Sequence, residues 1–303
     1  MVDLSVSFAG VNFKNPVVTA SGAFGFGREY GEFYDLSLLG GVCVKGLTLK
    51  PRLGNKPPRI FETSSGVLNS VGLQNPGVNS FIKEELPFLR KYNTVVIANI
   101  SGNTVNEYAE MAEKLSSAKV DIIEVNVSCP NVKAGGMQFG ISVDGVSAVT
   151  KAVKNHTAVP IMVKLSPNVT DIAEIAIAAE SEGADAISLI NTLLSMRIDT
   201  KTRKPVLHNN LGGLSGPAVF PVAVRMVWQA ASAVKIPVMG LGGVVSGDNA
   251  VEMMLAGASL VGVGTACFDD PYAPVRIIDE IAEYLPRNGL KSTGDITGKV
   301  VLN

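Results

Sequence analysis

Two short apolar runs near the carboxyl end of the chain, IPVMGLGG at 236–243 and LVGVGTA at 260–266, each contain a glycine-rich turn. Six more short, β-rich runs precede them: PVVTASG (16–22), GGVCVKG (40–46), TVVIANISG (94–102), IIEVNVSCP (122–130), PIMVKLSP (160–167) and AISLINT (186–192). Most of the runs are continuously apolar, which is typical of parallel strands buried on both faces. Helix-compatible segments separate them, for example 104–119, 170–183 and 217–234. Eight such β/α units predict an α/β fold, a single (β/α)8 TIM barrel.

A doubly wound parallel sheet is the competing arrangement. It would normally open with a glycine-rich turn after its first strand, and no GxGxxG stands there. The opening segment LSVSFAGVNFKN (4–15) predicts a short hairpin that plugs the bottom of the barrel. Residues 47–77 and 193–216 are too long for simple connections and predict lids or binding loops. Since no linker, repeat or low-complexity tract divides the chain, we predict one domain, 1–303.

The composition describes a compact protein that recognises its ligands locally. With 47% hydrophobic residues, 17% charged residues and a net charge of -1, neither disorder nor nucleic-acid binding is expected. The three cysteines show no CxxC spacing, which predicts a reducing cytoplasm and no disulfide, zinc or iron-sulfur site. His156 and His208 are too few for a metal site. The beginning of the chain does not resemble a signal peptide, and no run of about 18 apolar residues predicts membrane insertion.

Polar residues close six of the eight runs, and in a barrel the active site lies at the carboxyl ends of the strands. Lys45 and Lys164 entering one barrel mouth would repel each other unless an anion lay between them, so the pair predicts an anionic ligand. Asparagine side chains carry a donor beside an acceptor, which suits the ring edge of a flavin or a pyrimidine. The alternatives are ion-paired surface lysines and asparagines that cap turns. The six closing positions are Ser21, Lys45, Asn99, Asn126, Lys164 and Asn191-Thr192.

The glycine-rich turns and one cysteine complete the candidate site. The turns at 240–243 and 262–265 stand where barrels most often bind phosphate through backbone N–H groups, and Gly216 before Pro217 is a third candidate. Cys43 and Cys267 are interpreted as small core residues. Cys129 differs, because it follows the fourth run directly and Pro130 prevents that strand from continuing. A nearby lysine would favour its thiolate form, so Cys129 is a candidate reactive group.

The motif VNVSCPN (125–131), with VCVKGLTLKPR (42–52) and LNSVGLQNPG (68–77), closely resembles the dihydroorotate dehydrogenases, which bind FMN in a TIM barrel. Further matches follow in the same order over nearly the whole chain: VTASGAFGFG (18–27), MVKLSPN (162–168), LINT (189–192), LSGPA (214–218), GLGGV (240–244) and GVGTA (262–266). The loop SCPNVKAGGMQFG (128–140), with cysteine as the base, is similar to class 1 enzymes and specifically to the NAD-linked (1B) subtype. Class 2 enzymes use serine and carry a membrane-associated extension.

The resemblance implies both the site residues and the reaction. FMN would contact Ser21, Lys45, Gly46, Asn99, Asn126, Lys164, Ile190, Gly216, Gly242, Gly243, Gly264 and Thr265. The substrate would contact Lys45, Asn69, Val71, Gly72, Leu73, Asn126, Asn191 and Thr192. The implied reaction oxidises (S)-dihydroorotate to orotate in pyrimidine biosynthesis. Cys129 would remove the C5 proton while hydride passes from C6 to flavin N5.

The electrons must then leave, and the chain has neither a dinucleotide fingerprint nor a cysteine cluster. The resemblance implies a partner subunit with FAD and [2Fe-2S] that reduces NAD, in a heterotetramer built on a catalytic homodimer. The fumarate-dependent class 1A subtype is the nearest alternative. A Schiff-base aldolase using Lys164 and a non-catalytic flavin scaffold also remain open, whereas dihydropyrimidine dehydrogenases carry a similar module in much longer chains. The basic segment RIDTKTRKP (197–205) is interpreted as a solvated lid.

Overall fold

The fold comes from a computed structural model that describes residues 2–128 and 139–303. Its strands, in chain order, are β1 Val6–Phe8, β2 Val11–Phe13, β3 Val17–Thr19, β4 Gly41–Cys43, β5 Ile60–Thr63, β6 Gly66–Asn69, β7 Val95–Ile100, β8 Ile122–Asn126, β9 Ile161–Lys164, β10 Ala186–Leu189, β11 Leu193–Ser195, β12 Ile198–Asp199, β13 Lys204–Pro205, β14 Gly212–Ser215, β15 Val238–Leu241 and β16 Ala258–Val263.

The helices lie between the barrel strands and after the last one. They are α1 Val78–Ser80, α2 Leu86–Leu89, α3 Val105–Ser117, α4 Val143–Lys154, α5 Ile172–Ser181, α6 Phe220–Ala233, α7 Gly247–Leu255, α8 Ala266–Asp269 and α9 Ala273–Arg287. A π-helical stretch, Phe81–Glu85, joins α1 to α2. Short 3-10 turns are Tyr30–Glu32, Leu36–Leu38, Phe139–Ile141, Pro217–Val219 and Thr293–Asp295. Side chains of Thr104, Ser142, Asp171 and Ser246 accept backbone N–H bonds at the starts of α3, α4, α5 and α7, which fixes where these helices begin.

Eight parallel strands form a closed barrel, in the order β10, β15, β16, β3, β4, β7, β8 and β9. Each strand pairs with the next barrel strand along the chain, and β16 closes the ring by pairing with β3, where Val261 lies opposite Val17. The eight predicted runs are these eight strands, so the predicted TIM barrel is confirmed and the open doubly wound sheet is excluded. The strands end sooner than the runs do, and Lys45 follows β4 by two positions.

Alternate residues of the barrel strands belong to two different cores. Val17 and Val42 point outward and pack in the cluster between the barrel and its helices. Their neighbours Val18 and Cys43 point inward and belong to a second cluster inside the barrel. Both faces of each strand are therefore buried, which explains why the runs are continuously apolar.

The predicted amino-terminal hairpin is also confirmed. β1 and β2 pair antiparallel, with Phe8 opposite Val11. Phe8 and Phe13 are completely or almost completely buried, and they join the inner cluster with Met162 and Leu260. The hairpin therefore closes one end of the barrel, and the opposite end remains for a ligand.

The two long connections do more than cover the barrel, because they pair with each other. β14 pairs antiparallel with both β6 and β11, and β6 pairs with β5, so that residues from 47–77 and 193–216 form one four-stranded sheet. The basic segment 197–205 is a separate hairpin in which β12 pairs with β13, and most of its residues are exposed. This exposure agrees with the prediction of a solvated segment.

Candidate active site

A large cavity lies where the barrel strands end. The polar strand ends, both glycine-rich turns and the two long loops all contribute to its wall. The predicted positions that line it are Ser21, Lys45, Gly46, Asn69, Val71, Gly72, Leu73, Asn99, Asn126, Lys164, Ile190, Asn191, Thr192, Gly242, Gly243, Gly264 and Thr265. Residues that are up to 244 positions apart, such as Ser21 and Thr265, thus share one site at the end where barrels bind their ligands.

Two predicted positions stand apart from this set. Gly216 lies behind the cavity wall, and its carbonyl oxygen would be 2.7 Å from a Cβ atom on Gly243. Its place in the structure is that of a support for the turn at 242–243. Cys129 lies outside the described residues, whereas Ser128, its neighbour in the chain, lines the cavity.

The orientation of Asn126, at the end of β8, is fixed by its neighbours. Its Oδ1 atom accepts hydrogen bonds from the backbone N–H of Ser128 and from Nδ2 of Asn191, both at 3.1 Å. Oδ1 of Asn191 in turn accepts the backbone N–H of Thr192 at 2.8 Å. Because Oδ1 of Asn126 already has two partners, the Nδ2 group is the part of this side chain that can donate to a ligand.

Lys45 is the strongest candidate for binding an anion. Burial and, as a smaller effect, the positive charge of Arg59 lower the pKa of Lys45. Within residues 2–128 and 139–303, no carboxylate oxygen lies within 4.0 Å of its amine. A cation in this environment is stabilised by an anionic ligand, as the sequence predicted for Lys45 and Lys164 together.

Lys164 has a partner that sequence reasoning missed. Its Nζ atom lies 3.7 Å from Oε2 of Glu124, a fully buried carboxylate in the middle of β8. The expectation that both lysines need a ligand as their counter-ion is therefore wrong for Lys164. A signal was present in the run 122–126, IIEVN, where the one acidic residue has the same strand parity as Asn126 and so points into the barrel.

Glu124 also accepts hydrogen bonds from three other strands of the barrel. Oγ of Ser188 donates at 2.7 Å, Sγ of Cys43 donates at 3.2 Å, and Nδ2 of Asn99 donates as well. Burial and, to a smaller extent, the negative charge of Glu124 hold the pKa of Cys43 well above its ordinary value. Cys43 therefore remains a thiol that can donate its hydrogen, and its core role is structural as predicted.

The turn after β15 requires glycine. Gly242 and Gly243 have φ of +130° and +78°, which side-chain-bearing residues rarely adopt. A Cβ atom on Gly243 would also lie 2.8 Å from Cβ of Phe220. The backbone of this turn thus forms the cavity wall directly, in an arrangement suited to an anion held by N–H groups.

Several lining residues did not attract attention in the sequence. Ser215 lies in β14, and its hydroxyl accepts a hydrogen bond from Oγ1 of Thr265 at 2.9 Å. Gly213 contacts Thr192 so closely that a Cβ atom there would lie 1.9 Å from Oγ1 of Thr192. Both belong to the sheet formed by the two long loops. Their contribution depends on strand pairing across more than 140 residues, which local patterns do not reveal.

Cys267 and the two histidines, for which no role in the site was predicted, lie away from the cavity. Cys267 is buried beyond the last strand, and both histidines are exposed. No group of three or more potential metal ligands occurs within the described residues. The helices of this part of the chain also include none with the length and apolar character needed to cross a membrane.

The fold and the cavity define an α/β-barrel protein whose candidate ligand site lies at the carboxyl ends of the strands. The family model for dihydroorotate dehydrogenase matches residues 3–285, and the chain belongs to this family. A protein of Alkaliphilus metalliredigens named dihydroorotate dehydrogenase B (NAD(+)), catalytic subunit, is 56% identical over 299 residues, which are 99% of each chain. Relatives with the same name occur in Alkaliphilus oremlandii, 55% identical over 98% of this chain and 99% of theirs, and in Geobacter metallireducens, 54% identical over 98% and 97%. The resemblance read from the motifs is thereby confirmed.

Proposed function

We propose that this chain oxidises (S)-dihydroorotate to orotate in pyrimidine biosynthesis, with FMN bound in the cavity, and that residues 1–303 act as one catalytic domain. The observation that carries the proposal is the cavity itself, which gathers the family's motif residues around a partly buried lysine, Lys45, that has no ion pair among the described residues. Full-length relatives named as catalytic subunits of the NAD(+) enzyme support it. The unpaired cysteines Cys43 and Cys267 agree with a cytoplasmic location.

The described residues fit FMN. The turn at 242–243 and the neighbouring Gly264 and Thr265 offer backbone N–H groups for a phosphate. Oδ1 of Asn99 is buried without a hydrogen-bond partner, and such an acceptor calls for a donor on a ligand. Lys164 provides a cation beside it. The residues proposed to hold FMN are Ser21, Lys45, Gly46, Asn99, Asn126, Lys164, Ile190, Gly216, Gly242, Gly243, Gly264 and Thr265.

When bound, FMN supplies an acceptor for the hydride that leaves C6 of dihydroorotate. The chain's own residues bind and orient the substrate. Lys45 and the backbone N–H groups at 71–73 receive its carboxylate, and the amide side chains of Asn69, Asn126 and Asn191 pair with its ring. Leu73 and Thr192 complete the wall around it. Cys129, as a thiolate, removes the proton from C5.

The assembly follows from the same reasoning. Because the sequence contains no dinucleotide fingerprint and no cysteine cluster, the electrons need another carrier. We propose a partner subunit with FAD and [2Fe-2S] that passes them to NAD(+), around a homodimer of this chain in a heterotetramer. The relatives' name "catalytic subunit" supports a second subunit. It also favours the NAD-linked subtype over the fumarate-dependent one.

The aldolase alternative is not favoured. A Schiff-base lysine must attack a carbonyl as a neutral amine. Lys164 is instead held in an ion pair with the carboxylate of Glu124, at 3.7 Å. Trapping with borohydride in the presence of aldehydes or ketones should therefore leave Lys164 unlabelled.

An anaerobic spectrum tests the proposed function. The FMN-loaded chain should lose its visible flavin absorbance when dihydroorotate is added. Subsequent NAD(+) should restore the absorbance efficiently only when the partner subunit is present. Bound FMN that stays oxidised with dihydroorotate would contradict the dehydrogenase, and efficient reoxidation by NAD(+) without a partner would contradict the assembly.

The proposed phosphate turn gives a prediction of its own. Gly243→Ala adds a methyl group that overlaps the carbonyl of Gly216 at a backbone with φ of +78°. This overlap forces the turn to move from the position proposed to hold the phosphate, so we expect FMN affinity to fall by about tenfold or more, about 1.4 kcal/mol, measured by fluorescence titration. Gly289→Ala is the matched control, because Gly289 has φ of +71° and no atom within 4 Å of the added methyl. Equal FMN affinity in the two variants would contradict the role of the turn.

A further inference from the structure

Glu124 has a position that the proposed mechanism does not use. Its carboxylate lies inside the barrel, fully buried, and is not part of the cavity wall. Four donors from four other strands surround it: Cys43 of β4, Asn99 of β7, Lys164 of β9 and Ser188 of β10. An ionised carboxylate can only accept hydrogen bonds, so each of these neighbours must turn a donor towards it.

The first consequence concerns Asn99. Its Nδ2 group must face Glu124, and Oδ1 must therefore face away from it. Oδ1 is buried without a hydrogen-bond partner and lies 2.9 Å from the position of a Cβ atom on Gly46, which lines the cavity. Glu124 thus determines that Asn99 offers the ligand an acceptor and not a donor.

The second consequence concerns Lys164. Its side chain is only 6% exposed, and it has the carboxylate of Glu124 on one side and the cavity on the other. The pair is neutral as a whole. The negative charge of Glu124 therefore weakens the attraction between Lys164 and an anion that forms in the cavity.

We propose that Glu124 is a positioning residue for the cofactor. It fixes the acceptor of Asn99 towards the cavity, and it limits how strongly Lys164 favours the anionic, reduced form of FMN over the oxidised form. This inference rests on the proposed function only in assuming that FMN occupies the cavity. Glu124 itself contacts neither FMN nor substrate and acts through Asn99 and Lys164.

The substitution Glu124→Gln separates the two effects. Oε2 faces Asn99, Cys43 and Lys164, while Oε1 faces Ser188 alone. Glutamine can keep a carbonyl on the first side and place its amide against the hydroxyl of Ser188, which can accept as well as donate. The polarity of Asn99 is then retained and only the negative charge is lost. Glu124→Met, with a side chain of similar length, removes both the acceptor that orients Asn99 and the negative charge.

The measured quantities are the affinity for oxidised FMN and the midpoint potential of bound FMN, both without dihydroorotate. For Glu124→Gln we expect near-normal affinity for oxidised FMN. The ratio of the affinity for reduced FMN to that for oxidised FMN should rise by at least about tenfold, which corresponds to a rise in midpoint potential of about 30 mV for a two-electron couple. For Glu124→Met we expect affinity for oxidised FMN to fall by about tenfold or more, because the donor of Asn99 is left unpaired.

Glu180→Gln is the matched control. Its carboxylate accepts backbone N–H bonds from Lys235 and Ile236 and lies outside the cavity, so its loss should leave the potential unchanged. A Glu124→Gln protein with the potential of the wild type would overturn the proposal. A wild type that binds FMN but is not reduced by dihydroorotate would instead defeat the proposed function and leave this test intact.

A second pair of variants covers the case in which Glu124→Gln does not fold. Glu124→Gln combined with Lys164→Met replaces both members of the buried ion pair with neutral side chains, a change that proteins often tolerate. Both proteins lack the Lys164 cation, so they differ only in the charge of Glu124. The double variant should therefore favour reduced over oxidised FMN by a larger ratio than Lys164→Met alone. An equal ratio in the two variants would overturn the proposal.

Discussion

Replacing Cys129 with alanine should leave FMN bound and slow the reduction of the flavin by dihydroorotate by about 10²- to 10⁴-fold, the usual contribution of a positioned general base. The Cys129 thiolate is proposed to accept the C5 proton, and alanine has no group that can do so. The residues proposed to hold FMN do not include Cys129 and should remain in place. Anaerobic stopped-flow absorbance gives the reduction rate, and a fluorescence titration gives the affinity for FMN.

Two further substitutions make this experiment specific. Cys267→Ala removes a buried thiol outside the cavity and should leave the reduction rate near that of the wild type. Cys129→Ser keeps a hydroxyl, whose proton is lost far less readily than that of a thiol, so it should react slowly at neutral pH and faster as the pH rises. If Cys129→Ala reduced its flavin as quickly as Cys267→Ala does, the proton would have to leave to a different group.

The barrel could be predicted because each of its strands is visible in the sequence as a short apolar run. Most residues of β4 and β8 pack either against the helices or inside the barrel, so both strands lie in short, mainly apolar runs. The polar residues that close these runs, Lys45 and Asn126, could then be assigned to one site, because all strands of a closed parallel barrel end on the same side.

The parts that escaped prediction depend on contacts between distant segments. Glu124 sits within an apolar run, and its partners Asn99, Lys164 and Ser188 come from three other strands. The alternation of side chains along β8 could have marked Glu124 as a buried carboxylate, but it could not have identified the partners of Glu124. The pairing of β6 with β14 joins two loops whose sequences show no shared pattern. For the same reason the close contact between Gly216 and Gly243 could not be predicted from the sequence.

Replacing Lys45 with methionine should weaken the binding of orotate to the FMN-loaded protein by roughly 30- to 1000-fold, which corresponds to losing about 2–4 kcal/mol from a buried charge-assisted contact. Lys45 is the lining lysine for which no carboxylate partner lies within 4.0 Å among the described residues, so the product's carboxylate would be its counter-ion. The change in flavin absorbance on adding orotate, at saturating FMN, measures the affinity. Lys235→Met is the matched control, because this exposed lysine precedes β15 at the other end of the barrel.

The pH dependence of the same affinity provides a second readout. Burial, and then the charge of Arg59, lower the pKa of Lys45 from its ordinary value of 10.5. The protonated form binds the carboxylate, so orotate affinity should be full at lower pH and should decline as pH rises through the lowered pKa, while ordinary lysines are still charged. The Lys45→Met protein should bind weakly with no such decline. If the wild type kept constant affinity up to the range where exposed lysines titrate, or if Lys45→Met declined in parallel with it, the carboxylate would have to be held by a group other than Lys45.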